Sequence, residues 1–131
     1  MPSRWTLVLA LGLTACGGDS GGTGPDTVPG AVSSLAAQVV GGQIKLTWNA
    51  SAGAASYSIY MASQSGVTRV NHTTLPGNMF HPGLQLSFDH PPGLDAGTLY
   101  YFVVTARNGS GESIESCEVT AQISGALGGT C

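Results

Sequence analysis

Apolar and polar residues alternate in short segments along most of the chain from residue 29 onward. Residues 43–49 read QIKLTWN, which places Ile44, Leu46 and Trp48 on one face of an extended strand. Similar alternation occurs in residues 32–37, 56–61, 84–88, 99–108 and 119–121. No stretch of comparable length shows helical periodicity, and Gly, Pro and Asn separate the segments. The pattern therefore predicts an all-β fold, an antiparallel sandwich of about seven short strands.

The most regular of these segments is residues 97–113, which read GTLYYFVVTARNGSGES. Together with Trp48 at the end of the second strand and Leu94 ahead of the segment, it resembles the fibronectin type III family of Ig-like β-sandwiches. The resemblance covers residues 29–123. It implies that Tyr100 is a tyrosine corner, whose ring packs in the core and whose hydroxyl bonds to backbone near Leu94. Trp48 and Tyr100 are then buried scaffold rather than a platform for a ligand.

One segment departs from this pattern. Residues 63–83 are weakly patterned and long for a connection between strands, so the pairing of the strands around them is left open. Function in such sandwiches sits in the loops, and we expect candidates in residues 50–55, 63–83 and 109–112. Met79 and Phe80 are apolar residues within the longest of these loops. They are candidates for contact with a partner, or else they cover the open edge of the sheet.

The N-terminal residues 1–15 have the pattern of a signal peptide. Arg4 precedes an apolar run, residues 5–13, that is too short for the roughly 20 residues a membrane-spanning helix needs. The following residues, ending LTAC at Cys16, resemble the bacterial lipobox. That resemblance implies cleavage before Cys16 and a lipid anchor on its thiol. Gly17 favours the outer membrane if the cell is Gram-negative. The alternative is an ordinary signal peptide that happens to end in a cysteine.

Residues 16–28 would then be the lipidated cysteine and a Gly-rich tether that behaves as a flexible coil. Residues 18–22 read GDSGG and match the active-serine string of chymotrypsin-like proteases. The chemistry needs a histidine and an aspartate upstream of the serine, and the region upstream of Ser20 contains no histidine. We therefore expect no catalysis at Ser20.

Charge is sparse, at 8% of residues with a net charge of −3. Without clustered Lys and Arg to neutralise phosphates, nucleic acid is excluded as a partner. His72, His81 and His90 are spaced by nine residues, which matches no metal-ligand motif. We expect them to be exposed loop residues, and we expect neither a metal site nor another cofactor.

The two cysteines beyond the lipobox, Cys117 and Cys131, form an even pair in a chain expected to be exported. Cys117 is in phase with Val119 and should face inward on the last strand. The C-terminal tail, residues 124–131, can turn back and bring Cys131 close, so an intramolecular disulfide is favoured. A buried free Cys117, and an intermolecular bridge through Cys131, stay open as alternatives.

These observations predict a lipid-anchored protein of the bacterial cell envelope without catalytic residues. Its sandwich would serve as a protein-interaction module or spacer, reaching the membrane through Cys16 and an unknown protein or glycan through its loops. A carbohydrate-binding surface module is the alternative, although the sequence offers few exposed aromatic residues. An envelope enzyme would need a nucleophile or a metal that the sequence does not place.

Overall fold

The computed structural model describes residues 27–131. The predicted signal peptide, Cys16, Ser20 and most of the predicted tether lie outside these residues. The described part contains one turn of 3₁₀ helix, His72–Thr74, and eight strands. The strands are β1 (Ala36–Val40), β2 (Gln43–Thr47), β3 (Ser56–Ala62), β4 (Met79–Leu84), β5 (Ser87–Asp89), β6 (Tyr100–Asn108), β7 (Gly111–Glu112) and β8 (Val119–Ala121).

The strands form two antiparallel sheets. The first has the order β1-β2-β5, and the second has the order β4-β3-β6-β7, with β8 also paired to β6. Strands β7 and β8 pair with opposite ends of β6 and so act as two parts of one edge strand. Counted in this way, the described residues form seven strands, and the prediction of an antiparallel all-β sandwich is confirmed.

The core lies between the two sheets and is built from the alternating positions that the sequence pattern identifies. Its fully buried members include Ile44 and Leu46 of β2, Ile59 and Met61 of β3, and Phe102 and Val104 of β6. Trp48 and Tyr100 are 5% and 7% exposed, as expected of buried scaffold. The hydroxyl of Tyr100 accepts the backbone N–H of Asp95 at 2.9 Å, next to Leu94, which is the tyrosine corner that the resemblance implies.

The expectation that Cys117 faces inward is wrong, because its side chain is exposed. The chain has no regular strand between β7 and β8, so alternation counted back from Val119 does not reach Cys117. The buried side chains of this stretch are Ser113 and Ser116, three residues apart. Their hydroxyls accept N–H groups from the neighbouring strand β6 at 2.9 Å, in positions where a regular strand would offer carbonyl oxygens. Two short polar side chains thus replace part of the sheet's hydrogen bonding.

Residues 124–131, expected as a tail beyond the domain, turn back and lie along the edge of β1. Ala37 donates its N–H to the carbonyl of Gly129 at 2.7 Å, and Gly129 donates back to Ala37 at 3.2 Å. The N–H of Cys131 donates to Leu35 at 2.9 Å. A disulfide joins Cys131 to Cys117, with their Cα atoms 6.2 Å apart. The disulfide therefore links the returning tail, which lies on the first sheet, to the stretch between β7 and β8 at the edge of the second sheet.

We expect the Cys131→Ser substitution to lower the free energy of unfolding by about 3 kcal/mol, the loop-closure value for a ring of about 15 residues. Urea denaturation of oxidised wild type and variant measures the difference. Cys117→Ser and the double variant should give the same loss, because each removes the same bond. A wild-type midpoint that is unchanged by reduction would contradict the prediction.

Candidate functional site

Residues 63–78 lie across the outer face of the second sheet, and we call them the cover segment. In this fold that face is the side of the sheet that turns away from the core. Here it carries a second apolar cluster, in which the buried Tyr60, Ala62, Val67 and Val103 pack with the half-buried Leu75 and Tyr101. The weakly patterned segment of the sequence is therefore an ordered layer over the sheet.

Two glutamates of the opposite edge hold the cover segment through its backbone. The carboxylate of Glu118 accepts the N–H groups of Gly66 and Val67 at 2.8 and 3.1 Å. The carboxylate of Glu115 accepts the N–H of Arg69 at 2.9 Å. Hydrogen bonds to an ionised acceptor are stronger than neutral ones, so two side chains fix a segment that has no strand partner there.

The guanidinium of Arg69 completes this attachment in the opposite direction. It donates to the backbone carbonyls of Glu112 and Ser113, at 3.1 Å for the first. Three charged side chains, Glu115, Glu118 and Arg69, thus hold the cover segment to the last edge of the second sheet.

A third glutamate, Glu112, receives two hydroxyls on the outer face. Tyr60 and Thr105 both donate to its carboxylate at 2.6 Å, and Arg107 lies 3.5 Å from the second oxygen. Burial, and then the hydrogen bond to the ionised Glu112, raise the pKa of Tyr60 to about 12. The phenol therefore stays protonated and acts as a fixed donor rather than as an acid.

The two partner-contact candidates, Met79 and Phe80, lie on the edge strand β4 and are 39% and 40% exposed. The ring of Phe80 stacks on the buried ring of Tyr60, with centroids 4.8 Å apart. His72 meets the edge of Tyr60 at 4.7 Å and lies 5.8 Å from Phe80. Phe80 thus covers Tyr60 with one face and leaves part of its ring exposed to solvent.

The other two histidines meet on the inner side of the sandwich, at the open edge between β4 and β5. His81 pairs with the core residue Ile59, and Phe88 lies opposite the core residue Leu46. The rings of His81 and His90 have centroids 5.0 Å apart at a near-perpendicular angle. His90 is 5% exposed and His72 and His81 are half-buried, with His81 inside strand β4, so the expectation of exposed loop histidines is wrong. The rings fill the gap that the two edge strands leave between the sheets.

Burial, and then the neighbouring His90, lower the pKa of the His81 imidazole. His72 belongs to the outer-face cluster, so the three histidines do not form one site. Nowhere in residues 27–131 do three or more His, Cys, Asp or Glu side chains group so as to hold a metal ion.

The loops proposed from the sequence at residues 50–55 and 109–112 lie where the chain enters the domain. Asn108 donates its side-chain amide to the carbonyls of Thr27 and Gly53, at 2.8 and 3.1 Å. The hydroxyl of Ser51 donates to the carbonyl of Gly30 at 2.7 Å. We call this the entry end, and its loops are already occupied by the first described residues.

The opposite end, which we call the far end, consists of the β1–β2 turn, residues 90–98 and residues 122–127. Backbone and side-chain bonds join the last two, such as Ser124 N–H to the carbonyl of Ala96 at 2.8 Å. A cleft of about 550 Å³ opens here between β1 and the returning tail. Its lining residues are Ala37 to Val40, Ala126 and 128–130, and none of them is titratable.

We expect the Tyr60 phenol to ionise with a pKa of about 12 in the folded protein. An unfolded tyrosine ionises near pH 10, so the stability that the protonated Tyr60 contributes is fully present below pH 10. This contribution is lost as the pH rises toward 12, where the phenol ionises in the folded state as well. A rapid pH jump followed by tyrosinate absorbance, compared between wild type and Tyr60→Phe, measures the pKa. Glu112→Gln should lower it, whereas Glu115→Gln, on the same edge but not bonded to Tyr60, should not. Ionisation near pH 10 in the folded wild type would contradict the assignment.

No helix among residues 27–131 is long and apolar enough to cross a membrane. No family model matches the chain, and neither does any curated protein.

Solved structures do match it. An Fn3-like protein from Clostridium thermocellum is 26% identical with a TM-score of 0.53, over 72% of this chain and 90% of that one. The structure described as FN3tt mut is 21% identical with a TM-score of 0.56, over 74% and 98%. The chicken CNTN1 FN1-FN3 domains are 16% identical with a TM-score of 0.53, over 71% of this chain and 30% of theirs. With the sheet order and the tyrosine corner, these likenesses show that the chain carries a fibronectin type III-like domain.

Proposed function

We propose that the chain is a lipid-anchored protein of the bacterial cell envelope, held at the membrane through a lipid on Cys16. Its fibronectin type III-like domain acts there as a non-catalytic protein-interaction module or spacer. The observation that carries the proposal is the lipobox-like LTAC at Cys16, placed thirteen residues before the domain begins at residue 29. A tether of that length reaches at most roughly 47 Å when fully extended, so the domain stays near the membrane surface.

The disulfide between Cys117 and Cys131 supports an exported location. Both cysteines are exposed, and a bridge at such a position persists in an oxidising compartment rather than in a reducing cytosol. The bridge also holds the C-terminal residues on β1. Such a cross-link raises the free energy of unfolding of a domain outside the cytosol, because it lowers the conformational entropy of the unfolded chain.

The described residues begin at the entry end, where Asn108 donates to the carbonyl of Thr27. A tether from Cys16 would therefore join the domain at that end. The far end, with its cleft between β1 and the tail, lies on the side opposite to this attachment. Surfaces available to a distant partner are therefore the far end and the sides of the sandwich, which include Phe80.

Metabolic labelling with radioactive palmitate tests the anchor. Wild-type protein should incorporate the label and fractionate with membranes, and Cys16→Ser should lose both. Cys131→Ser is the matched control, since it removes a cysteine and the disulfide but leaves the lipobox-like sequence intact. An unlabelled and soluble wild type would mean that the protein is simply secreted and that Cys16 has no role in anchoring.

Phe80 is the side chain on which we propose partner contact, because its ring is half-exposed and held in place by Tyr60. Cross-linking on living cells should capture a partner whose yield falls at least tenfold in Phe80→Ala. Met79→Ala, a neighbouring apolar residue of equal exposure without a ring contact, should reduce the yield less. Because the Phe80 ring also covers Tyr60, its removal should lower the thermal midpoint by roughly 5–10 °C, and the comparison is made at a temperature at which both variants are folded.

The alternative function, carbohydrate binding, rests on the same ring. A half-exposed aromatic face beside the imidazole of His72 offers the stacking surface and polar neighbour that a sugar ring uses. A glycan screen decides between the two. Binding that is lost in Phe80→Ala and kept in Met79→Ala would favour the carbohydrate module, whereas no binding by wild type would remove it.

A further inference from the structure

The pair of rings at the open edge of the sandwich has a feature that packing alone does not account for. His81 and His90 come from edge strands of different sheets, yet their centroids lie only 5.0 Å apart. The Nε2 atoms of both are buried and have no hydrogen-bond partner within the described residues. A buried polar atom without a partner destabilises the folded state, and here two of them occur in neighbouring rings.

The orientation of the His90 ring is fixed by its own backbone. Its Nδ1 lies 2.7 Å from the carbonyl oxygen of Pro91, and a carbonyl can only accept. Nδ1 therefore carries the proton, and Nε2 carries a free lone pair. The backbone N–H of His90 also donates to the carbonyl oxygen of Ile44 at 2.8 Å, which anchors the residue to β2. A ring held through Nδ1–H on a backbone carbonyl, with Nε2 free, is the arrangement typical of metal-binding histidines.

The surroundings of the pair select the kind of occupant. Phe88 contacts both rings, at 4.6 Å from His81 and 5.9 Å from His90, and makes that side apolar. Asp89 alternates to the other face of β5 and is exposed, so no carboxylate joins the pair. Imidazole nitrogens without carboxylates suit zinc, copper and nickel rather than calcium or magnesium. His81 is only half-buried, so the pair lies at the edge of the sandwich rather than deep in its core.

We propose that His81 and His90 form a two-imidazole site for a divalent transition-metal ion such as Zn²⁺, Ni²⁺ or Cu²⁺. Bound through the two Nε2 atoms, the ion would link β4 of one sheet to β5 of the other. The site exists only when both sheets are assembled, so the metal stabilises the folded state. This role is independent of lipid anchoring and of partner contact.

The test uses the full chain carrying Cys16→Ser, in which no free thiol can bind metal and the other two cysteines form the disulfide. Metal-free protein is titrated separately with Zn²⁺, Ni²⁺ and Cu²⁺. We expect one equivalent to bind at least one of them. At a free metal concentration about a hundred times the dissociation constant, the thermal midpoint should rise by roughly 10 °C.

Substitutions locate the site. His81→Gln and His90→Gln should each abolish the rise, and His72→Gln should retain it as the matched control from the outer-face cluster. Substitution of a buried histidine can unfold the chain, so a second readout uses the protein that keeps all three histidines. In that protein, NMR follows the imidazole nitrogen resonances during the metal titration. Metal should shift the Nε2 signals of His81 and His90 and leave those of His72 unchanged. No binding, or binding that persists in both His81→Gln and His90→Gln, would overturn the proposal.

Discussion

The pairing of β3 with β6 is the constraint on which the rest of the molecule depends. The two strands pair over seven positions, from Ser56 opposite Arg107 to Ala62 opposite Tyr101. Side chains on their inner face build the core, and side chains on their outer face are buried as well. Every residue of β3 after the first is therefore buried, which is typical of a strand covered on both faces rather than one.

Covering the outer face has a consequence for the charged residues. The cover segment has no strand partner across the sheet, so its backbone N–H groups need acceptors from elsewhere. Glu115 and Glu118, on the last edge of the second sheet, accept these N–H groups with their carboxylates. The guanidinium of Arg69 donates in turn to a backbone carbonyl of the same edge. Glu115, Glu118 and Arg69 thus serve to hold the cover segment on the sheet.

Sequence patterns identified what depends on strict alternation within a strand. Ile44, Leu46 and Trp48 face the core, and Tyr100 forms the expected corner, because each lies in an unbroken strand or next to one. Cys117 was misplaced because the irregular stretch after β7 breaks the alternation. The burial of His90 depends on His81, which lies across the edge in the other sheet, and no local pattern reports a contact between two sheets.

The sequence of strand β3 indicates that its outer face is covered, although the alternation of apolar and polar residues alone does not show this. Residues 56–62 read SYSIYMA, with Tyr60 and Ala62 on the face opposite to Tyr57 and Ile59. An aromatic residue on the supposed solvent face, in a strand whose neighbour carries Val103 there, indicates that something covers it. The sequence alone does not show what covers this face, because residues 63–78 have no periodicity.

The edges of the two sheets limit how a partner can engage the domain. Strand β4 contains Pro82, which has no N–H to donate, and its pairing with β3 is irregular between Tyr57 and Ile59. The returning tail occupies the first half of the β1 edge, so residues 38–40 alone remain open there. Three residues make a poor template for an added strand. A partner of the kind proposed would therefore have to bind through side chains, and on β4 the half-exposed ring of Phe80 is held in place by its stacking on Tyr60.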